Sequence, residues 1–192
     1  MLLLILGLII FLGAHSIHIV AADWRQRQIE RFGAGAWKGL FALTSLVGLI
    51  LMIGGFNAAQ ETLVLLYAPP DWLRHLNSIL TLIAFVLVTA AYVPRNHIKE
   101  RIGHPMLAGV KIWAFGHLLA IGMLRDVVLF GAFLIWAIVA FVVSRRRDRR
   151  AGTVYPRGAR QGDVITIVVG LILWAAFALW LHKWLIGVNP LA

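Results

Sequence analysis

Apolar positions gather into six long runs: Leu2 to Ala22, Trp37 to Phe56, Trp72 to Val93, Met106 to Met123, Val127 to Ser144 and Val164 to Val188. Charged residues or turn sequences such as "APPD" and "VPRN" separate them. About 30 Å of hydrocarbon, crossed at ~1.5 Å per residue, needs roughly 20 residues, so each run predicts a membrane-spanning helix. No run alternates with a strand period, and every backbone amide in lipid must be satisfied internally, so helices are predicted rather than a barrel. The fourth and fifth runs are parted only by the short "LRD" connection, which predicts an antiparallel helical hairpin. The expected architecture is an all-α, polytopic membrane bundle of about six helices in a single domain, residues 1–192.

Composition agrees with this reading: 61% of residues are hydrophobic and only 14% are charged, so the chain cannot hide its apolar surface in water. Cysteine is absent. That excludes disulfides, thiolate metal sites, covalent c-type haem attachment and thiol nucleophiles, and any redox chemistry needs a bound cofactor.

Charge sets orientation, because cytoplasmic loops carry the excess of Lys and Arg. The first loop holds Arg25, Arg27, Arg31 and Lys38, the third Arg95, Lys99 and Arg101, and the fifth the "RRRDRR" run with Arg157 and Arg160. The second loop, Asn57 to Asp71, has Glu61 and Asp71 and no basic residue. Both termini are therefore expected on the periplasmic side of a bacterial inner membrane. The first run has no basic segment before it and reads as a retained span rather than a signal peptide. The formal charge of +10 does not indicate nucleic acid, since the arginine cluster directly follows a membrane helix; orientation and contact with anionic lipid explain it.

An ionisable group inside a span is costly and needs a partner or a ligand. Of the seven histidines, His97 falls in a loop, and His75 and His182 fall near the outer helix ends. His104 precedes Pro105 at a helix start. His15 and His117 differ, each flanked on both sides by apolar sequence and beside small residues, in "LGAHSI" and "AFGHLL". Either alone is also explained by a membrane histidine bonded to a neighbouring carbonyl or hydroxyl; two neutral imidazoles on different helices, with space for something flat between them, suit a tetrapyrrole iron.

Spacing tests the alternatives. His104 and His117 are 13 positions apart, which leaves them roughly 140° apart around a helix and unable to share one ion. His15 and His18 share a face, yet no carboxylate lies within a span to complete a non-haem site. The depths of His15 and His117 differ by an apparent ~8 Å along their helices, which helix tilt and snorkelling of Lys111 can reduce.

The stretch from Ala91 to Phe133, "AYVPRNHIKERIGHPMLAGVKIWAFGHLLAIGMLRDVVLFGAF", resembles the NnrU family. Its hallmark is a proline loop, a basic turn ending in HPML, and a run matched by Lys111, Trp113, Ala114, His117, Leu118, Leu119 and Ala120. The resemblance extends to "GAHSIH" and "WRQRQIERFG" and implies a membrane protein associated with denitrification and nitrogen-oxide reduction. The chain is also similar to 15-cis-zeta-carotene isomerase, which isomerises an apolar polyene with haem b, through His15 and Ser16, and through His104, Pro105, Trp113 and His117. That similarity implies haem b held by His15 and His117. Where the isomerase has a cysteine three residues before its second ligand, this chain has Ala114. "GHPMLAG" further resembles the Arg-His-Pro motif of membrane methyltransferases, but their downstream paired glutamates are missing.

The functional readings are thus a haem b protein of nitrogen-oxide metabolism, a haem-dependent polyene isomerase, and a non-catalytic membrane accessory protein. His15 and His117 are the expected iron ligands, with His18, His104 and Trp113 as secondary candidates. The expected partners are the lipid bilayer, an apolar polyene or nitrogen-oxide metabolism proteins.

Overall fold

The computed structural model describes residues 1–59 and 64–190; Glu61 of the second loop lies outside them. The described residues are helical apart from turns and one isolated antiparallel bridge between Leu65 and Met123. The chain resolves into two compact units, Met1–Val64 and Leu65–Ala192.

The first unit holds α1 (Leu2–Val20), α2 (Ala22–Phe32) and α3 (Ala34–Ala58). The basic first loop is therefore itself helical, a regularity that its charge concealed. Gly33 links α2 to α3 with φ 85°, a conformation that costs a residue with a Cβ. α1 and α3 pack through small residues that let their backbones meet: a Cβ on Gly48 would lie 2.8 Å from the Phe11 nitrogen. Further along, a Cβ on Gly13 or on Gly39 would meet nothing within 4 Å.

The second unit holds α4 (Trp72–Tyr92), α5 (His97–Ile102), α6 (Pro105–Ala120), α7 (Leu124–Ala151), α8 (Arg160–Ala176), a π-helical segment (Phe177–Leu181) and α9 (His182–Ile186). α4 packs on α6 and α8, and α6 packs on α7. The expected hairpin is present, but its connection is Ile121 to Met123, and "LRD" forms the first turn of α7. There Asp126 is buried beside Arg125, 3.4 Å from its Nε. The carbonyls of Leu118 and Ile121 at the end of α6 accept from the Tyr67 hydroxyl, so carbonyls without a helical partner are satisfied.

Among the described residues, five helices are long and apolar enough to cross a membrane: Leu2–Val20, Ala34–Ala58, Trp72–Tyr92, Leu124–Ala151 and the run Arg160–Ile186. The fourth apolar run forms α6, whose 16 residues extend only ~24 Å at ~1.5 Å per residue. "RRRDRR" is not a loop: α7 continues through it and stops at Gly152 with φ 62°.

The turn between α4 and α6 owes its order to Asn96. This side chain is buried, donates to the Ala90 and Val93 carbonyls at 2.9 and 2.7 Å, and caps α5 by accepting from the Lys99 amide at 2.7 Å. Beside it Arg95 takes φ 53°, and its carbonyl accepts the Ala159 amide at 2.8 Å.

Candidate cofactor-binding histidines

His117 lies in the last turn of α6 and is buried. Its Nδ1 is 2.8 Å from the Trp113 carbonyl, one turn earlier. A carbonyl only accepts, so Nδ1 carries the proton and Nε2 keeps the lone pair of a neutral imidazole. Nε2 has no hydrogen bond among the described residues. The ring stacks on Phe130 of α7, with centroids 4.3 Å apart and planes at 21°. The Trp113 indole, 5.4 Å from the imidazole, is itself edged by Phe130 and Phe133. Small residues allow this arrangement: Ala114 is fully buried, and a Cβ on Gly116 would collide with Asn77 Oδ1 of α4.

His15, in the first unit, is built the same way. Its Nδ1 is 2.8 Å from the Phe11 carbonyl, again one turn earlier, and its ring stacks on Phe11 at 4.2 Å and 26°. Phe41 of α3 approaches edge-on at 4.9 Å. Ser16 gives its hydroxyl to the Leu12 carbonyl at 2.6 Å. Both predicted ligands thus use an i−4 carbonyl to fix the tautomer and a phenyl ring to fix the plane, the supporting contacts that metal-binding imidazoles require.

The secondary candidates divide. Trp113 is joined to His117, as described. His18 lines a cavity with Arg25, Trp37 and Lys38 at the α2 end of the first unit. His104 stands apart from His117, thirteen residues away and ~20 Å along α6. Its Nε2 lies 2.7 Å from Asp148 Oδ2, to which the Tyr155 hydroxyl also donates at 2.6 Å. Burial, and then the Asp148 carboxylate, push the Tyr155 phenol up to about 12. Lys111 holds its ammonium 3.6 Å above the Phe141 ring, which also meets His104 edge-on. It therefore leans toward the arginine-rich end of α7, the direction in which a snorkelling lysine would point.

His97 is not a loop residue: it opens α5 and pairs with Asp163, Nδ1 to Oδ2 at 2.7 Å, while its amide donates to Oδ1 at 2.8 Å. Glu100 accepts the Gly158 amide at 2.7 Å. The segment between α7 and α8 is thereby fastened to the α4–α6 turn. Sequence reasoning missed both His–Asp pairs. The available signal was a single carboxylate amid arginines, in "RRRDRR" and "RQGDV", but the partners lie 44 and 66 residues away.

Among the described residues no group of three or more His, Cys, Asp or Glu side chains is placed to hold a metal ion. A family model described as "NnrU protein" matches residues 3–190. No curated protein and no solved structure matches the chain significantly.

Proposed function

The chain belongs to the NnrU family, and from that premise we propose that it is a multi-pass membrane haem b protein serving nitrogen-oxide reduction, with His15 and His117 as the axial iron ligands. The observation that supports this reading is the construction shared by the two imidazoles: each has Nδ1 tied to the carbonyl one turn back and its ring held flat against a phenyl. Haem held by these residues would supply one-electron chemistry and could bind a small diatomic molecule. This chain's contribution is to orient and to desolvate. The Trp113 carbonyl keeps the proton on Nδ1 of His117 and raises the basicity of Nε2, Phe130 fixes the ring plane, and burial excludes water. The polyene-isomerase reading lacks its sulfur ligand at Ala114, a residue wholly buried in the structure.

The reading includes six crossings, with α6 as the fourth and both termini periplasmic. Its support is the short Ile121–Met123 connection to α7 and the concentration of Arg and Lys at α2, α5 and the end of α7. The test is spectroscopic. Protein purified after expression with ample haem supply should show a Soret band, which His15→Ala and His117→Ala each weaken at least severalfold while exposed His75→Ala retains it. A colourless wild-type protein, or a band insensitive to both substitutions, overturns the assignment.

A further inference from the structure

In the first unit two adjoining cavities, of about 390 and 360 Å³, are lined by residues of α1, α2 and α3. They share Ala14, Ile17, Trp37 and Phe41, and so form one continuous groove. Its deep end is apolar, between Ile9, Ile10 and Gly13 of α1 and Leu40 of α3. Its other end carries Arg25 and Lys38, neither of which forms an ion pair with the described residues. Between the two ends stand Trp24 and Trp37, edge to face at 5.8 Å, with the Arg25 guanidinium 5.8 Å over Trp37. The carboxylates of α2, Asp23 and Glu30, are not among the lining residues, and Glu30 accepts from Gln26 at 3.0 Å.

We propose that this groove binds an anionic phospholipid, one acyl chain lying between α1 and α3 and the phosphate against Arg25 and Lys38. The order along the groove is that of a lipid at an interface: apolar wall, then indole rings at headgroup depth, then uncompensated cations. Ile9 and Ile17 are eight positions apart, which gives the chain ~12 Å of helix to lie against. Two cations beside an apolar wall favour an anion with a tail over a soluble anion, and their charge favours an anionic over a zwitterionic lipid. His15 is not among the lining residues, so the site does not depend on the haem assignment.

The experiment measures quenching of tryptophan fluorescence by lipids with dibrominated acyl chains, for the full-length protein in phosphatidylcholine vesicles containing increasing phosphatidylglycerol. With about fivefold selectivity per basic residue near the surface, the wild type should prefer the brominated anionic lipid by roughly twentyfold. Lys38→Gln alone should lose about fivefold, and Arg25→Gln with Lys38→Gln should lose nearly all of the preference. Arg27→Gln with Arg31→Gln removes the same charge from α2 positions that do not line the groove and should keep it. Trp24→Phe with Trp37→Phe should remove the part of the quenching that is specific to the brominated anionic lipid, while quenching common to both lipids persists from the exposed Trp72, Trp180 and Trp184. Equal quenching by both lipids, loss of selectivity in the Arg27/Arg31 variant as large as in the Arg25/Lys38 variant, or a preference for the brominated anionic lipid that persists in the Trp24/Trp37 variant would each overturn the proposal.

Discussion

Gly7→Ala tests the contact on which the first unit depends. A Cβ at this position would lie 2.5 Å from the Met52 nitrogen, 2.8 Å from the Gly48 carbonyl oxygen and 2.9 Å from the Leu51 carbonyl carbon. All three are backbone atoms of α3, so no side chain can swing aside and the helices must part. Ordinary contact begins at 3.4 Å, so the nearest pair alone demands about 0.9 Å of separation. Overpacking of this kind costs ~1–3 kcal/mol, and a purely backbone collision belongs in the upper half of that range. Alanine returns about 1 kcal/mol of helix propensity. The net loss is then ~1–2 kcal/mol, a factor of roughly 5–30 in the folded-to-unfolded ratio. Gly54→Ala is the matched control, because a Cβ there meets nothing within 4 Å, and it should be neutral or stabilising by up to ~1 kcal/mol. Thermal unfolding of the two variants in the same detergent, followed by circular dichroism, makes the comparison. If Gly7→Ala melts at or above Gly54→Ala, the close approach of α1 and α3 is wrong.

Three other outcomes are expected. A reporter active only in the cytoplasm, fused at the C-terminus, should give no signal; a strong signal means an odd number of crossings or the reverse orientation. The Tyr155 phenol, held near 12 in the fold against about 10 when unfolded, should account for the 295 nm phenolate absorbance that Tyr155→Phe removes. Because the folded value is the higher, its contribution to stability is present below pH ~10 and lost as pH rises toward 12, and a difference titration centred at 10 would refute the Asp148 contact. If His15 and His117 both hold the iron, as proposed, the ferrous protein should take up carbon monoxide slowly or incompletely, and His15→Ala or His117→Ala faster; rapid, full uptake by the wild type in stopped flow would mean that an iron position is vacant.

What the apolar pattern made legible was the existence and order of the long helices, because a solvent without hydrogen bonds forces every exposed span into one form. It could not show where helices end within polar sequence. α7 runs through "RRRDRR" because an arginine-rich stretch has good helix propensity and nothing stops it before Gly152. α2 is hidden in the same way, its mixed charges reading as a loop. α6 stops at Ala120, earlier than its apolar run, because Tyr67 takes its terminal carbonyls and the Ile121–Met123 turn follows. That partner lies 51 residues away, and no local pattern announces it.

The histidine pair shows the same division at the scale of a site. Depth singled out His15 and His117 from sequence alone, and the same property accounts for the geometry that sequence did not disclose. Within a span there is no water to accept an imidazole N–H, and the acceptor within reach of a helical histidine is the carbonyl one turn earlier. Phe11 and Trp113 supply that carbonyl, at 2.8 Å in both cases. Leaving Nδ1 unbonded would strand a buried polar group at a cost of about 1–3 kcal/mol. The lipid therefore favours the Nδ1–H tautomer in both, and in His117 Nε2 has no hydrogen bond among the described residues. What no rule of periodicity could supply is the ring plane. That depends on Phe11 one turn before His15 and on Phe130, thirteen residues beyond His117 across the α6–α7 hairpin. If the planes matter for holding iron, then Phe130→Leu, which keeps the apolar volume but removes the flat surface, should leave the helices intact by circular dichroism while broadening and weakening the Soret band. An unchanged band would mean that Phe130 serves packing alone and that the Trp113 carbonyl is sufficient to orient His117.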